Sequence, residues 1–163
     1  MKKIILAIFL FVCGYYYIQN KIFVEVEYFY DGPYTRLVDK GIKKWENNKL
    51  KFIKVNSEED AYLIIKHVDP SFIKGSTTSA QYISRTKTIM LNNKYDYLFK
   101  KGYIERTIAH ETGHFLGLPH SESKKSIMYP DLNDEMVLSA LDRKNANDKI
   151  VLVYLIKKIY NLI

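Results

Sequence analysis

Cysteine is almost missing from this chain: Cys13 is the only one among 163 residues, so no disulfide can form within it. The fold must rest on a packed core, and a single domain of this length buries about two thirds of the surface its unfolded chain exposes. One cysteine also leaves the redox compartment unspecified. Internal repeats, low-complexity tracts and long blocks of one charge are absent as well. With 47% hydrophobic and 26% charged residues, the chain is not of the intrinsically disordered class. No helix-turn-helix, zinc-finger or RNA-recognition pattern is present, which argues against a nucleic-acid partner. The net charge of +7 reads as lysine dispersed over a solvated surface, with attraction to anionic surfaces or acidic substrates as the alternative. Nothing points to an oligomer, and a monomer is the default.

A stretch apolar enough to span a bilayer is missing too. Ile4 to Ile18 is uncharged and follows Lys2 and Lys3, the layout of an export signal, but it is shorter than the roughly 20 residues a span requires. Residues 1–18 are therefore expected to be a signal peptide or N-terminal membrane anchor, and 19–163 the functional domain. The protein would be exported: secreted, periplasmic or membrane-anchored facing outward. Cleavage after Gly14, lipidation at Cys13 and retention as an anchor with Tyr15, Tyr16 and Tyr17 at the interface all stay open.

Beyond the leader, Ile22 to Tyr30 alternates apolar and polar residues and predicts a half-buried strand closed by Asp31-Gly32-Pro33. Leu37, Val38, Gly41, Ile42 and Trp45 recur at helical spacing and predict about four turns of helix, ending near Asn47-Asn48. Leu50 to Val55, Ala61 to His67 and Thr86 to Leu91 read as strands, while Gly75 to Ser84 is small and polar. Tyr97 to Leu116 is the longest helical candidate. Ser139 to Tyr160 is a second, with Ser139 as N-cap and Asp142 three positions later. One mixed sheet with helices packed against it follows from this order.

The chemistry is concentrated in His110-Glu111-Thr112-Gly113-His114-Phe115-Leu116-Gly117-Leu118-Pro119-His120. Residues four apart on a helix stack one turn above each other, about 6 Å along the axis, so His110 and His114 can face one metal ion. Glu111 then lies beside that ion, placed to take a proton from a metal-bound water. A continued helix would carry His120 to the wrong side. Gly117 offers the left-handed conformation that ends a helix, and Pro119 disfavours helix through Leu118. Three neutral imidazoles leave a fourth tetrahedral position open, the catalytic form of a zinc site. His67, the one histidine outside this cluster, reads as an ordinary surface or strand residue.

This segment resembles the metzincin signature, and Ser126-Ile127-Met128-Tyr129-Pro130 is similar to the Met-turn of that group in its matrixin (matrix-metalloproteinase-like) form. Gly41 to Trp45, Ala61 to Ile65, and Leu138-Ser139 with Asp142 and Tyr154 resemble further elements of the family. Leu141-Asp142 stands where the family often has two aspartates. The resemblance implies an α+β, zincin-like fold: a twisted mixed sheet of about five strands, a long active-site helix and a C-terminal helix. It implies one catalytic zinc on His110, His114 and His120, Glu111 as catalytic base, and Met128 as an apolar floor. A second, structural zinc and calcium lack supporting residues, and no cysteine-switch propeptide is evident. A peptide or protein substrate would lie extended against a sheet edge around Gly75 to Tyr82, with Thr78, Ser79 and Ala80 offering backbone groups. Pro130, Asp131 and Leu132 would wall the first primed-side pocket. Arg106 falls where a family side chain sets the depth of that pocket. Pointing inward it would shorten the pocket and favour small or medium apolar residues after the scissile bond; otherwise it is a surface arginine.

The expected activity is zinc-dependent endopeptidase, hydrolysing peptide bonds by a zinc-bound water that Glu111 activates. A non-catalytic zinc-containing module that captures peptide is one alternative, against which the retained Glu111 argues. A zinc amidase acting on cell-wall peptide and a membrane-tethered interaction protein with a vestigial site are the others.

Overall fold

Every second residue of β1 (Val24–Phe29) faces the interior: Val24, Val26 and Tyr28 are buried while Glu25 is exposed. This alternation is what a sheet with one packed face demands. The same pattern shapes β2 (Leu50–Lys54) and β3 (Leu63–Val68), whereas β5 (Thr88–Asn92) is buried at four of its five positions. A short strand, β4 (Ala80–Ile83), completes the sheet. The computed structural model describes residues 23–74, 77–100, 103–131 and 133–160, with side chains other than those of 100 and 151–160. The leader with Cys13, the loop residues Gly75 and Ser76, Leu132 and the Tyr154 side chain lie outside that description.

The strands run in the order β2-β1-β3-β5-β4. The first four are mutually parallel and β4 is antiparallel to β5. This is the five-stranded mixed sheet that the resemblance implied. β4 was not visible from periodicity, because the stretch containing it is too short and polar to show a pattern. It forms the edge of the sheet, where the resemblance placed the substrate.

α1 (Thr35–Lys43) connects β1 to β2 and is shorter than its apolar spacing predicts. Trp45 lies beyond its end, where its backbone N–H caps the carbonyl of Ile42 and its indole N–H donates to the carbonyl of Ala109 at 2.8 Å. That bond ties the chain to α3 (Tyr103–Phe115) and takes Trp45 out of the helical path. The segment predicted as one helix from Tyr97 forms two, α2 (Asp96–Lys100) and α3, with the poor helix-former Gly102 between them. Among the described residues the longest helix is α4 (Ala140–Tyr160), 21 residues. Its N-cap is the expected one: the Asp142 N–H donates to Ser139 Oγ at 3.1 Å, and the Ser139 N–H donates to Asp142 Oδ2 at 3.0 Å. Among the described residues, no helix is long and apolar enough to cross a membrane.

The core lies between the sheet and the helices α1 and α3. Tyr28, Phe52, Leu63, Ile65, Ile89 and Leu91 meet Val38, Ile42, Ile104 and Ile108, all close to fully buried. Trp45, 2% exposed, belongs to the same cluster. Trp45→Phe should lower the unfolding free energy by about 1–3 kcal/mol, through one lost hydrogen bond and a small cavity, as read by chemical denaturation.

Candidate active site

His110, Glu111 and His114 all lie on α3, and helical pitch brings the two imidazoles together with ring centroids 4.7 Å apart. α3 ends at Phe115, and the turn that follows is a Schellman motif. The Leu118 N–H reaches the carbonyl of Gly113 at 3.0 Å and the Gly117 N–H reaches that of His114 at 2.9 Å. Gly117 has φ +86°, the left-handed region that motif requires. The chain reverses there and delivers His120 with its ring centroid 4.8 Å from that of His114.

Second bonds orient the rings. His110 Nδ1 donates to the carbonyl of Ile127 and His114 Nδ1 to that of Leu118, each at 2.8 Å. These carbonyls fix the proton on Nδ1, so both Nε2 lone pairs point into the site. His114 Nε2 lies 3.1 Å from His110 Nε2 and 3.2 Å from His120 Nε2. Two acceptor lone pairs at that separation repel unless a cation lies between them. Tetrahedral ligands at roughly 2.0–2.1 Å from zinc would be about 3.3 Å apart. The three side chains therefore fit zinc by spacing, and His110 and His114 by tautomer as well. Burial also favours the neutral form of these two: it pushes His110 down to about 4 and lowers His114.

Glu111 is 7% exposed, and its Oε2 accepts the backbone N–H of Tyr82 at 2.8 Å. Burial pushes its carboxyl up to about 7, against the lowering effect of that bond. Beneath the helix, Met128 is buried, and a β-carbon at Gly113 would collide with its Sδ. Only glycine lets the methionine approach α3 this closely, between the two ligand histidines.

Asp142 is the carboxylate that braces the Met-turn. Its Oδ1 accepts Ser126 Oγ–H at 2.8 Å, and the same Ser126 Oγ accepts the Met128 N–H at 3.0 Å. Oδ2 accepts both the N–H and the hydroxyl of Ser139. One carboxylate thus joins the turn to the start of α4, and Leu141 beside it is exposed. Asp142→Ala should destabilise the protein by about 3 kcal/mol, since it strips charge-assisted bonds from buried hydroxyls. Thermal unfolding and zinc titration of the variant check this, and weaker zinc retention is expected because Ile127, the partner of His110, lies in the turn.

A cleft of about 580 Å³ runs past the triad. Thr78, Ser79, Ala80, Pro130 and Asp131 line it, as does Tyr82. Their backbone groups are not equally available. The Ser79 carbonyl accepts the Asn92 N–H and the Thr78 carbonyl accepts Asn92 Nδ2, both at 2.9 Å. Ser79 thus points towards β5, and antiparallel alternation turns Ala80 and Tyr82 towards the cleft. Arg106 does not line the cleft. Its guanidinium donates to Asp134 Oδ1 at 2.7 Å and to the Asp134 carbonyl, and it stacks on Tyr103. Of the two placements open to Arg106 this is the outward one, and no short pocket rests on it: the guanidinium is held by Asp134, an acidic partner in the loop beyond the Met-turn.

Sequence reasoning missed the Tyr82 amide and the wall residues Tyr95, Leu98 and Thr107. Edge-strand alternation would have pointed to Tyr82 had β4 been recognised. Tyr95 and Leu98 carry no local signal. His67 stands apart from the triad, in β3, as a strand histidine largely enclosed by aromatic rings.

Residues 21–150 match the sequence model of the matrixin peptidase family. Comparison with curated proteins returns no match.

Proposed function

The chain belongs to the matrixin family of zinc-dependent endopeptidases, and from that premise we propose that Glu111 is the general base for a peptide strand laid along β4. The observation that carries this is the placement of Glu111, buried beside three converged imidazoles and fixed by the Tyr82 amide. His110, His114 and His120 would hold the zinc, which when bound would supply Lewis-acid polarisation of the scissile carbonyl and lower the pKa of the attacking water. Glu111 takes the proton released in the attack and returns it to the leaving amine. Its burial raises proton affinity, which suits both transfers. The N–H and C=O of Ala80 and the C=O of Tyr82 face the cleft and pair with the substrate backbone. Pro130 and Asp131 form another part of the rim. Protein substrates follow from the family; an exported location rests on the basic and uncharged stretches before Ile18.

The test is to digest an unstructured protein such as casein and map the fragments by mass spectrometry. Internal cuts that stop with a chelator support endopeptidase action. Release of terminal residues alone, or no cleavage at full zinc occupancy, contradicts it.

A further inference from the structure

One wall of the cleft is built from a short segment whose helical turns depend on tertiary contacts. Tyr95 and Leu98 line the cleft from a three-residue 3-10 turn (Asn93–Tyr95) and the five-residue helix α2. Helices this short are marginal without tertiary contacts. Asn92 ties the start of the segment to the rim through the Thr78 carbonyl, and Phe99 near its end is fully buried. Between these points the segment meets His67. The ring is packed against Tyr30, Tyr34 and Phe99, with centroids 5.7–6.2 Å away. Its Nδ1 lies 3.2 Å from Asn93 Oδ1 and 3.5 Å from Asp96 Oδ1, and its Nε2 lies 2.9 Å from Tyr30 Oη.

These distances assign the tautomer. Nδ1 faces two acceptor oxygens, so it carries the proton, and Nε2 accepts the Tyr30 hydroxyl. Asp96 Oδ1 is buried with no hydrogen-bond partner, and the His67 Nδ1–H lies 3.5 Å from this oxygen, whose charge attracts the proton. A polar clamp thus joins β3 to the wall segment through His67, Asn93 and Asp96, while Tyr30, just beyond β1, supports the far side of the ring.

We propose that His67 is a positioning residue for substrate binding, which acts through Asn93 and Asp96 to hold Tyr95 and Leu98 against the cleft. This rests on the endopeptidase reading of the cleft, but the clamp itself does not. It touches neither the triad nor Glu111, so its loss moves substrate affinity and spares the chemical step.

The experiment compares wild type with His67→Leu, His67→Gln and Tyr30→Phe in the full-length zinc-loaded protein. Two readouts are used: amide hydrogen exchange, and the kinetics of a quenched fluorogenic peptide. His67→Leu should speed exchange across 93–99 at least roughly tenfold while α3 keeps its protection. It should raise KM about fivefold, the equivalent of one ordinary hydrogen bond, with kcat and zinc content unchanged. His67→Gln, whose amide can still donate to Asn93 and Asp96, should restore most of the loss. Tyr30→Phe removes the hydroxyl on the far side of the ring. It should lower thermal stability and leave KM near wild type, which a merely structural role for His67 would not predict. Unchanged exchange at 93–99, or a fall in kcat that tracks lost zinc, overturns the proposal. Should the wild type cleave no peptide, the endopeptidase reading fails, and the exchange data alone decide the clamp.

Discussion

Glu111→Gln is expected to lower kcat by about 10²–10⁴-fold while the protein stays folded and zinc-loaded. The substitution keeps the shape of the side chain and an amide oxygen that can accept the Tyr82 N–H. What it removes is the capacity to take up a proton. KM should therefore change little, since the lost interaction belongs to the transition state. A second consequence separates this from misfolding. In the metal-free protein, burial raises the folded-state carboxyl from 4.5 to about 7, so the folded state binds more protons than the unfolded one between those values. The stability conferred by the protonated group is fully present below 4.5 and is lost as pH rises through 7. Glutamine has no such loss. Metal-free Glu111→Gln should match wild type near pH 4.5 and exceed it at pH 8 by on the order of 3 kcal/mol. Thermal unfolding at the two pH values reads this directly.

His114→Ala is expected to remove zinc and activity together. His114 is the middle ligand, with its Nε2 within 3.2 Å of both other Nε2 atoms, so its loss leaves only two imidazoles for the ion. Loss of a group hydrogen-bonded to a metal ligand typically costs about 10–100-fold in metal affinity, and loss of a ligand must cost more. Zinc should raise the thermal midpoint of the wild type and leave that of the variant unmoved, because only a folded state that binds the ion gains from it. Asp142→Ala would fall between the two, folded less firmly but with all three ligands present.

His110, Glu111, His114, Gly117 and His120 are legible in the sequence because the rules that join them are local. Helical pitch pairs two histidines, and a left-handed glycine returns the third. β1, β2 and β3 are legible for the same reason, since alternation on a one-sided sheet is a property of neighbours. What escapes is decided across the fold. Trp45 carries a helical signal but is claimed by the carbonyl of Ala109, so α1 stops early. Arg106 has the position of a pocket residue but finds Asp134 in a loop beyond the Met-turn. β4 is defined by its pairing with β5 and by its amide bond to Glu111, neither of which leaves a trace in a short polar stretch. Asp142 lies in between. Its capping role is local and visible, while its hold on Ser126 needs the three-dimensional structure.

The most direct test is a titration of zinc into the metal-free protein, with cleavage of a terminally blocked peptide followed at each addition. A zinc enzyme whose three imidazoles hold one ion should gain activity in proportion and stop gaining at one zinc per chain, with cuts only at internal bonds. Activity that is complete without zinc, or absent once one zinc per chain is bound, would contradict it.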